Sequence, residues 1–266
     1  MISGENMQLT RQPTARSISL VLFLVSGVPA HAQVSEWEAL NNEVEALYEK
    51  GQYERALVVA KKALAIADLA VDPNHHFVTT SLNNLALLYY AEGRYAQAEP
   101  LFKRALAIRE KNFGSDHADV AASLNSLAEL YRIQGQYTQA EPLYKRSLAI
   151  SEKTLGPDHP DVARYLNSLA GLYRSQGQYA QAETLFKRAL VISEKALGPD
   201  HPDVATSLNN LATLYGAQGR YEQAVPLYKR SLAIAEKALG PDHPLVANTR
   251  GNLAVLYKKS GKAKEE

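Results

Sequence analysis

The 266-residue sequence contains no cysteine, so it has no disulfide framework, no thiolate metal site and no cysteine nucleophile. It has no charge excess to speak of either. Lys and Arg number 29 against 28 Asp and Glu, which leaves no overall field to draw the chain to nucleic acid or to an anionic membrane surface. The apolar run from Ile18 to Val28 is shorter than the roughly 20 residues that a membrane-spanning helix needs. No phosphate-cradling glycine loop, nucleophile elbow or metalloprotease signature occurs, and Ser, His and Asp recur with a structural repeat instead of converging on one place, so catalysis is unsupported. What is present is a hydrophobic content of 46%, ample for a folded core.

The N-terminus reads as a secretory signal peptide. Arg11 and Arg16 precede the apolar run from Ile18, and the small-x-small triplet Ala30-His31-Ala32 predicts cleavage after Ala32, assigning residues 1–32 to the leader. A start at Met7 would remove Glu5 and leave a cleaner basic segment. Loss of Arg11, Arg16 and Glu5 with the leader makes the remaining chain formally neutral, with no transmembrane segment expected in it. The expected location is periplasmic or secreted, and the alternative is a cytoplasmic protein with a misassigned N-terminus.

A single spacing organises everything after residue 35. Gly51, Gly93, Gly135, Gly177, Gly219 and Gly261 are each 42 residues apart, and the same step joins Leu85, Leu127, Leu169, Leu211 and Leu253. Within a repeat, Leu82, Leu85, Ala86 and Tyr89 fall at i, i+3, i+4 and i+7, one stripe of a first helix, called A. Tyr95, Ala98, Phe102 and Ala105 form the stripe of a second helix, B, reaching about Lys111. The glycine between them allows the tight reversal of an antiparallel pair. The linker Leu155-Gly156-Pro157-Asp158-His159-Pro160-Asp161-Val162 recurs at 197–204 and 239–246, with Leu245 replacing the aspartate in the last. Gly156 suits the position past the end of helix B, Pro160 suits the first turn of the next helix A, and Asp161 suits the positive end of its dipole.

One hairpin offers about eight large apolar side chains at roughly 1.5–3 kcal/mol each, too little to offset the ordering of its backbone at roughly 1–2 kcal/mol per residue. Hairpins near 35–72, 77–114, 119–156, 161–198 and 203–240, followed by a capping helix over 245–259 and a polar tail over 260–266, must therefore stack on one another. The first repeat, with Trp37 and one residue fewer between Tyr48 and Gly51, is expected to be irregular.

The pattern Leu82-x2-Leu85-Ala86-x2-Tyr89, then Ala98-x3-Phe102, resembles the tetratricopeptide repeat, with Tyr144 and Tyr228 replacing the phenylalanine in two repeats. That family's usual period is about 34 residues. The longer step, the run Ser207-Leu208-Asn209-Asn210-Leu211-Ala212 and the Gly-Pro-Asp-His-Pro linker resemble its kinesin light chain subgroup and bacterial relatives. The resemblance spans about residues 35–260 and implies an all-α solenoid, a right-handed superhelix of antiparallel helix pairs with helices A on the concave side, where a peptide or a partner's helix binds. The light chain's coiled-coil heptads are missing here, as are the enzyme domains that bacterial relatives sometimes append.

If Leu82, Leu85, Ala86 and Tyr89 face the core, the accessible side of that helix A carries Thr80, Asn83, Leu87 and Tyr90. The corresponding sets are Ala122, Asn125, Glu129 and Arg132, then Arg164, Asn167, Gly171 and Arg174, then Thr206, Asn209, Thr213 and Gly216. A row of carboxamides at Asn83, Asn125, Asn167 and Asn209 can pair with the N–H and C=O groups of an extended peptide, as asparagines in the resembled family do. Such side chains can instead bridge adjacent A helices. Arg132, Arg164 and Arg174 cluster in the middle repeats and suit a carboxylate, which points to an acidic or C-terminal segment of a protein partner. An ordinary solvated role for these arginines stands beside that reading.

The Asp158-His159-x-Asp161 cluster has metal-ligand residue types, yet a histidine recurs at every inter-repeat turn, so helix-end chemistry accounts for it and no metal or cofactor is expected. The Lys-Arg pairs at 103 and 104, 145 and 146, 187 and 188, and 229 and 230 read as a solvated helix face, with Glu99, Glu141 and Glu183 four residues before Lys103, Lys145 and Lys187. Tyr131, Tyr173, Tyr215 and Tyr257 sit at packing positions, which sets aside a base-stacking platform and with it nucleic acid. The sequence thus predicts a non-catalytic scaffold for a protein or peptide. The alternatives are an accessory subunit of a separately encoded enzyme and a self-assembling spacer.

Overall fold

The computed structural model describes residues 30–70 and 76–261, and those residues are helical with short turns between, containing no strand. The expected leader lies outside the described residues as far as Pro29. The chain divides into two compact units, one running to Leu130 and the other from Tyr131. The first holds the helices α1 (Ala30–Glu49), α2 (Tyr53–Ala70), α3 (His76–Ala91) and α4 (Tyr95–Phe113) and most of α5 (Ala118–Ile133). The second holds the end of α5 and then α6 (Tyr137–Leu155), α7 (Pro160–Ser175), α8 (Tyr179–Leu197), α9 (Pro202–Ala217), α10 (Tyr221–Leu239) and α11 (Pro244–Ser260). Odd-numbered helices are the A helices, even-numbered ones the B helices.

Two local devices repeat. At the A-to-B reversal, Gly177 takes φ 74, its N–H donates to the Arg174 carbonyl at 3.0 Å, and the Gln178 N–H donates to the Tyr173 carbonyl at 2.8 Å. The left-handed residue thereby closes two carbonyls that the end of α7 would otherwise leave open. At the B-to-A linker, Pro160 opens α7, where its missing N–H costs nothing, and the His159 ring caps the helix, Nδ1 accepting from the Asp161 N–H at 3.2 Å. His117, His201 and His243 accept in the same way at 3.1 Å. The recurring histidine is therefore an N-cap, a role the sequence pattern alone credited to its acidic neighbours.

The stripes pack as their spacing requires. Leu82 and Ala86 are fully buried, Leu85 and Tyr89 nearly so. In the N-terminal unit, Trp37 stacks on Phe77 at a centroid distance of 4.1 Å, donates from Nε1 to Ser81 Oγ at 2.8 Å, and joins Ala63, Ala67, Val78 and Ile108 in one cluster. In the C-terminal unit, Val162, Leu166 and Ile192 form one cluster and Val204, Leu208, Ile234 and Val246 another. The first and last of these clusters draw on neighbouring hairpins, and Leu148 of α6 packs against the Val162 cluster of the α7–α8 pair, as the energetic weakness of a single hairpin demands.

The first repeat proves regular, which corrects the expectation of a missing residue. Tyr48 tilts against Tyr53 at 5.4 Å as Tyr90 does against Tyr95 at 5.6 Å, and the Gly51 N–H meets the Tyr48 carbonyl as the Gly93 N–H meets that of Tyr90. Tyr48 thus occupies the place of Tyr90, and Leu47 that of Tyr89. The 42-residue register runs unbroken into α1 and makes Asn41 the counterpart of Asn83.

Candidate functional site

The A helices position every residue of the expected binding row, and they treat the row unevenly. In the N-terminal unit, Asn83 and Leu87 are buried, at 4% and 1% exposure, where an accessible face was expected. The reason for the latter shows in the C-terminal unit, where Thr213, at the same repeat position as Leu87, accepts a 2.9 Å hydrogen bond from the Tyr228 hydroxyl of its own B helix. The position faces inward. Where the B helix carries Phe186 instead of a tyrosine, the matching residue is Gly171, with nothing to offer a hydroxyl. Burial pushes the Tyr228 hydroxyl above its ordinary pKa, and the bond to Thr213 offsets part of that rise.

Three asparagines of the row reach from one A helix to the next. Asn41 Oδ1 accepts from Asn84 Nδ2 at 2.8 Å, linking α1 and α3. Asn167 Nδ2 donates to Ser207 Oγ at 3.1 Å, linking α7 and α9. Asn209 Oδ1 accepts at 3.2 Å from the Thr249 hydroxyl of α11, a proton shared with the Leu245 carbonyl at 2.7 Å. Asn209 is closed off at 5% exposure, whereas Asn125 and Asn167 are only half-buried, and the Oδ1 atoms of those two receive no hydrogen bond from the described residues.

Tyr90, half-buried, donates to Glu129 Oε1 at 3.4 Å. Arg132 is buried at 8% exposure and its Nη1 donates to Ser175 Oγ at 3.2 Å, which ties the end of α5 to the end of α7. Arg164 is exposed, 3.3 Å from Asp161 Oδ1, with its guanidinium 5.1 Å from the Tyr165 ring centroid. Burial raises the Tyr165 hydroxyl pKa, and the Arg164 charge works against that rise. Arg174 is half-buried near the end of α7.

The structure therefore concentrates the row on α7. Arg164, Asn167, Gly171 and Arg174 share one stripe of that helix, with Arg132 anchored at Ser175. Two guanidinium groups flank a half-buried carboxamide, an arrangement that suits a carboxylate-bearing chain, while Gly171 between them is buried toward its own B helix. The contribution of Asn41 was missed in the sequence because the first repeat was read one residue out of step. Its spacing from Asn83 was the available signal.

The opposite, B-helix face is charge-compensated. Lys103, Lys145 and Lys187 pair with Glu99, Glu141 and Glu183 at 2.7, 2.8 and 2.7 Å within their helices. Arg104, Arg188 and Arg230 reach back to Asp68, Glu152 and Glu194 on the preceding B helix at 2.7, 2.6 and 2.6 Å. Arg104, Arg188 and Arg230 thus tie neighbouring hairpins together, while the lysines pair within their own helices.

Tandem antiparallel helix pairs in fixed register, stacked through their A and B helices, define an α-helical repeat protein. The chain belongs to the tetratricopeptide-repeat family, whose model matches residues 38–111, 78–153, 119–190, 166–237 and 215–265. Among solved structures it is similar to a kinesin light chain-like protein of Podospora anserina with nearly identical TPR-like repeats, at 28% identity, with 79% of this chain and 98% of that chain covered and a TM-score of 0.61. It is also similar to BtubC (BKLC) of P. vanneervenii, at 23% identity, 88% and 86% coverage and a TM-score of 0.61. A Rap protein complexed with competence and sporulation factor shares the fold, at 16% identity, 88% and 67% coverage and a TM-score of 0.70. No protein of curated function matches the chain. Among the described residues, no helix is long and apolar enough to cross a membrane.

Proposed function

We propose that this chain is a non-catalytic interaction scaffold that holds a carboxylate-bearing segment of another protein, an acidic stretch or a C-terminus, along the A helices of its C-terminal unit. The observation that carries the reading is the α7 stripe, where Arg164 and Arg174 flank the half-buried Asn167. Arginine binds a carboxylate through two parallel N–H donors, and a half-buried carboxamide adds a backbone contact that is indifferent to the ligand's sequence. The repeat architecture supports the same conclusion, since a Rap protein of this fold is described in complex with a factor. The carboxylates with lowered pKa owe the shift first to Lys145 of the same helix at Glu141, to Arg220 at Glu183 and to Lys195 at Asp158, structural pairings and not the setting of a catalytic acid.

The test is retention of the purified protein on immobilised peptides rich in Asp and Glu, against versions with lysine at the same places and with amidated C-termini. Arg174→Ala and Asn167→Ala are each expected to weaken retention by about tenfold, with a small fall in melting temperature at Asn167, whose bond to Ser207 is lost as well. Equal retention of the acidic and lysine-substituted peptides would remove the carboxylate preference, and undiminished binding by both variants would remove α7 from the site.

The reading includes export. Cleavage after Ala32 would leave α1 to begin at Gln33, three residues after its described start at Ala30. N-terminal sequencing of protein from fractionated cells should return a chain beginning at Gln33 outside the cytoplasm. A cytoplasmic protein that still carries its leader would overturn this part.

A further inference from the structure

The cap of α7 differs from its counterparts in what stands beyond it. His159 Nδ1 accepts from the Asp161 N–H at 3.2 Å, and the Asp161 carboxylate lies between two cationic partners, Oδ2 at 3.8 Å from His159 Nδ1 and Oδ1 at 3.3 Å from Arg164 Nη2. The same histidine–aspartate pair precedes α5 and α9, at 3.7 Å in each, but the place of Arg164 is taken there by Ala122 and Thr206. Before α11 the aspartate itself gives way to Leu245, and Asn248 takes the place of the arginine. Among the described histidine caps, that of α7 alone joins an imidazole, a carboxylate and a guanidinium in one chain, and the guanidinium belongs to the binding stripe.

All three side chains are open to solvent, at 40% to 50% exposure, so both a proton and a ligand can reach them. The other charged groups about the linker are engaged elsewhere. Asp158 receives Lys195 of α8 at 2.8 Å, a bond that holds its carboxyl below the usual pKa and keeps it ionised where histidine titrates. Arg188 of α8 meets Glu152 of α6 at 2.6 Å and the Pro157 carbonyl at 3.5 Å. The Tyr165 hydroxyl, 3.4 Å from Arg164 Nη2, is pushed up by burial and stays neutral. While Nδ1 of His159 accepts a hydrogen bond the ring carries no proton there. A proton taken up from solvent turns that acceptor into a donor, and the Asp161 carboxylate is the anion at hand to receive it. A carboxylate that turns to His159 leaves Arg164.

We propose that Asp161 competes with the ligand for Arg164 and that protonation of His159 draws this competitor away, so that the α7 stripe holds a carboxylate-bearing segment more tightly in weak acid than at neutral pH. The inference rests on the peptide-binding reading and adds its regulation. Imidazole titrates between about pH 5 and 8, whereas the Asp and Glu side chains of a ligand, with ordinary pKa values of about 3.9 and 4.3, keep their charge through that range. Affinity therefore rises as pH falls through the histidine range and is lost in stronger acid, where the ligand's own carboxylates take up protons.

Retention on the immobilised acidic peptides and their lysine-substituted versions, compared at about pH 7.5 and about pH 5.5, tests it. The parent should hold the acidic peptides about two- to threefold more tightly at the lower pH, the scale of an exposed ion pair. His159→Asn keeps a capping side chain that does not titrate and should flatten most of the rise. Asp161→Asn removes the competitor and should bind at about pH 7.5 as tightly as the parent does in acid. His201→Asn and Asp203→Asn make the same changes at the cap of α9, where Thr206 stands in place of the arginine, and should follow the parent, which separates the local effect from the general gain of positive charge in acid. An acidic-peptide preference that does not vary with pH overturns the inference and leaves the binding reading standing, as does a rise that His159→Asn and His201→Asn share equally with the parent. Equal retention of the acidic and lysine-substituted peptides at both pH values overturns the reading and this inference with it.

Discussion

Two clasps in the C-terminal unit share a frame and differ in one side chain. In each, a glutamate on a B helix receives the lysine four residues on and the tyrosine near the end of the next A helix. Glu141 meets Lys145 at 2.8 Å and the Tyr173 hydroxyl at 3.3 Å, and Glu183 meets Lys187 at 2.7 Å and the Tyr215 hydroxyl at 3.0 Å. At Glu183 an arginine completes the set. Arg220 donates from Nη1 to Glu183 Oε2 at 2.6 Å and to Gln218 Oε1 at 2.8 Å, and lies 4.1 Å from the Tyr215 ring centroid. The residue 42 places earlier is Gln178, and the matching Gln176 Oε1 is buried with no donor among the described residues. The electrostatic result follows. Glu183 is lowered from 4.5 to about 2, with Arg220 as the largest cause, whereas Glu141 is lowered chiefly by Lys145. Repeats of one architecture can thus be tightened or loosened at single positions without altering the helices.

The strongest way to break the comparison is Arg220→Ala, which removes the bond to Glu183, the donor to Gln218 and the cover over Tyr215 together. The expected loss is about 2–4 °C in melting temperature, more than the same change would bring at any residue bonded to one group alone. The substitution should also change how the protein responds to acid. A carboxylate held below its unfolded value binds fewer protons when folded, so its stabilisation is complete above about 4.5 and disappears as pH falls toward about 2. Urea midpoints of the parent and Arg220→Ala proteins should therefore differ most at neutral pH and converge across that window. A gap that stays constant down to the acid end would show that the arginine acts through packing on Tyr215 and not through Glu183.

Nearly all of the helical frame was legible in the sequence, because a 42-residue period fixes glycines, prolines and leucines whose local physics is the same in every copy. What was not legible depends on which way a side chain turns within that frame. Leu87 and Asn83 lie on the stripe opposite Leu82 and Leu85, and periodicity places them at a free surface. The solenoid instead packs both flanks of its A helices, one against the preceding hairpin and one against its own B helix, as the Thr213–Tyr228 bond shows. Histidine capping escaped for a related reason, since the linker pattern offers several polar residues near one helix start and only geometry identifies His159 Nδ1 as the acceptor. The three arginines were singled out as a cluster, and the structure distinguishes Arg132, buried on Ser175, from the accessible Arg164 and Arg174.

Gln178→Arg sharpens the comparison by moving the weaker clasp toward the stronger one. The frame already holds the partners: Glu141 with Lys145 and Tyr173 around it, the Tyr173 ring as a surface for a guanidinium, and the Gln176 carbonyl in need of a donor. A buried carbonyl without a hydrogen bond costs about 1–3 kcal/mol, and part of that is recoverable when a donor reaches it. Ordering a long arginine side chain on a solvated surface opposes the gain. The expected result is a rise in melting temperature of about 1–2 °C, smaller than the loss at Arg220, together with a further lowering of the Glu141 titration measured by NMR. If the titration moves and the melting temperature does not, the cost of ordering cancels the new bonds. If neither moves, residue 178 is held away from Glu141, and the two clasps differ in backbone placement as well as in one side chain.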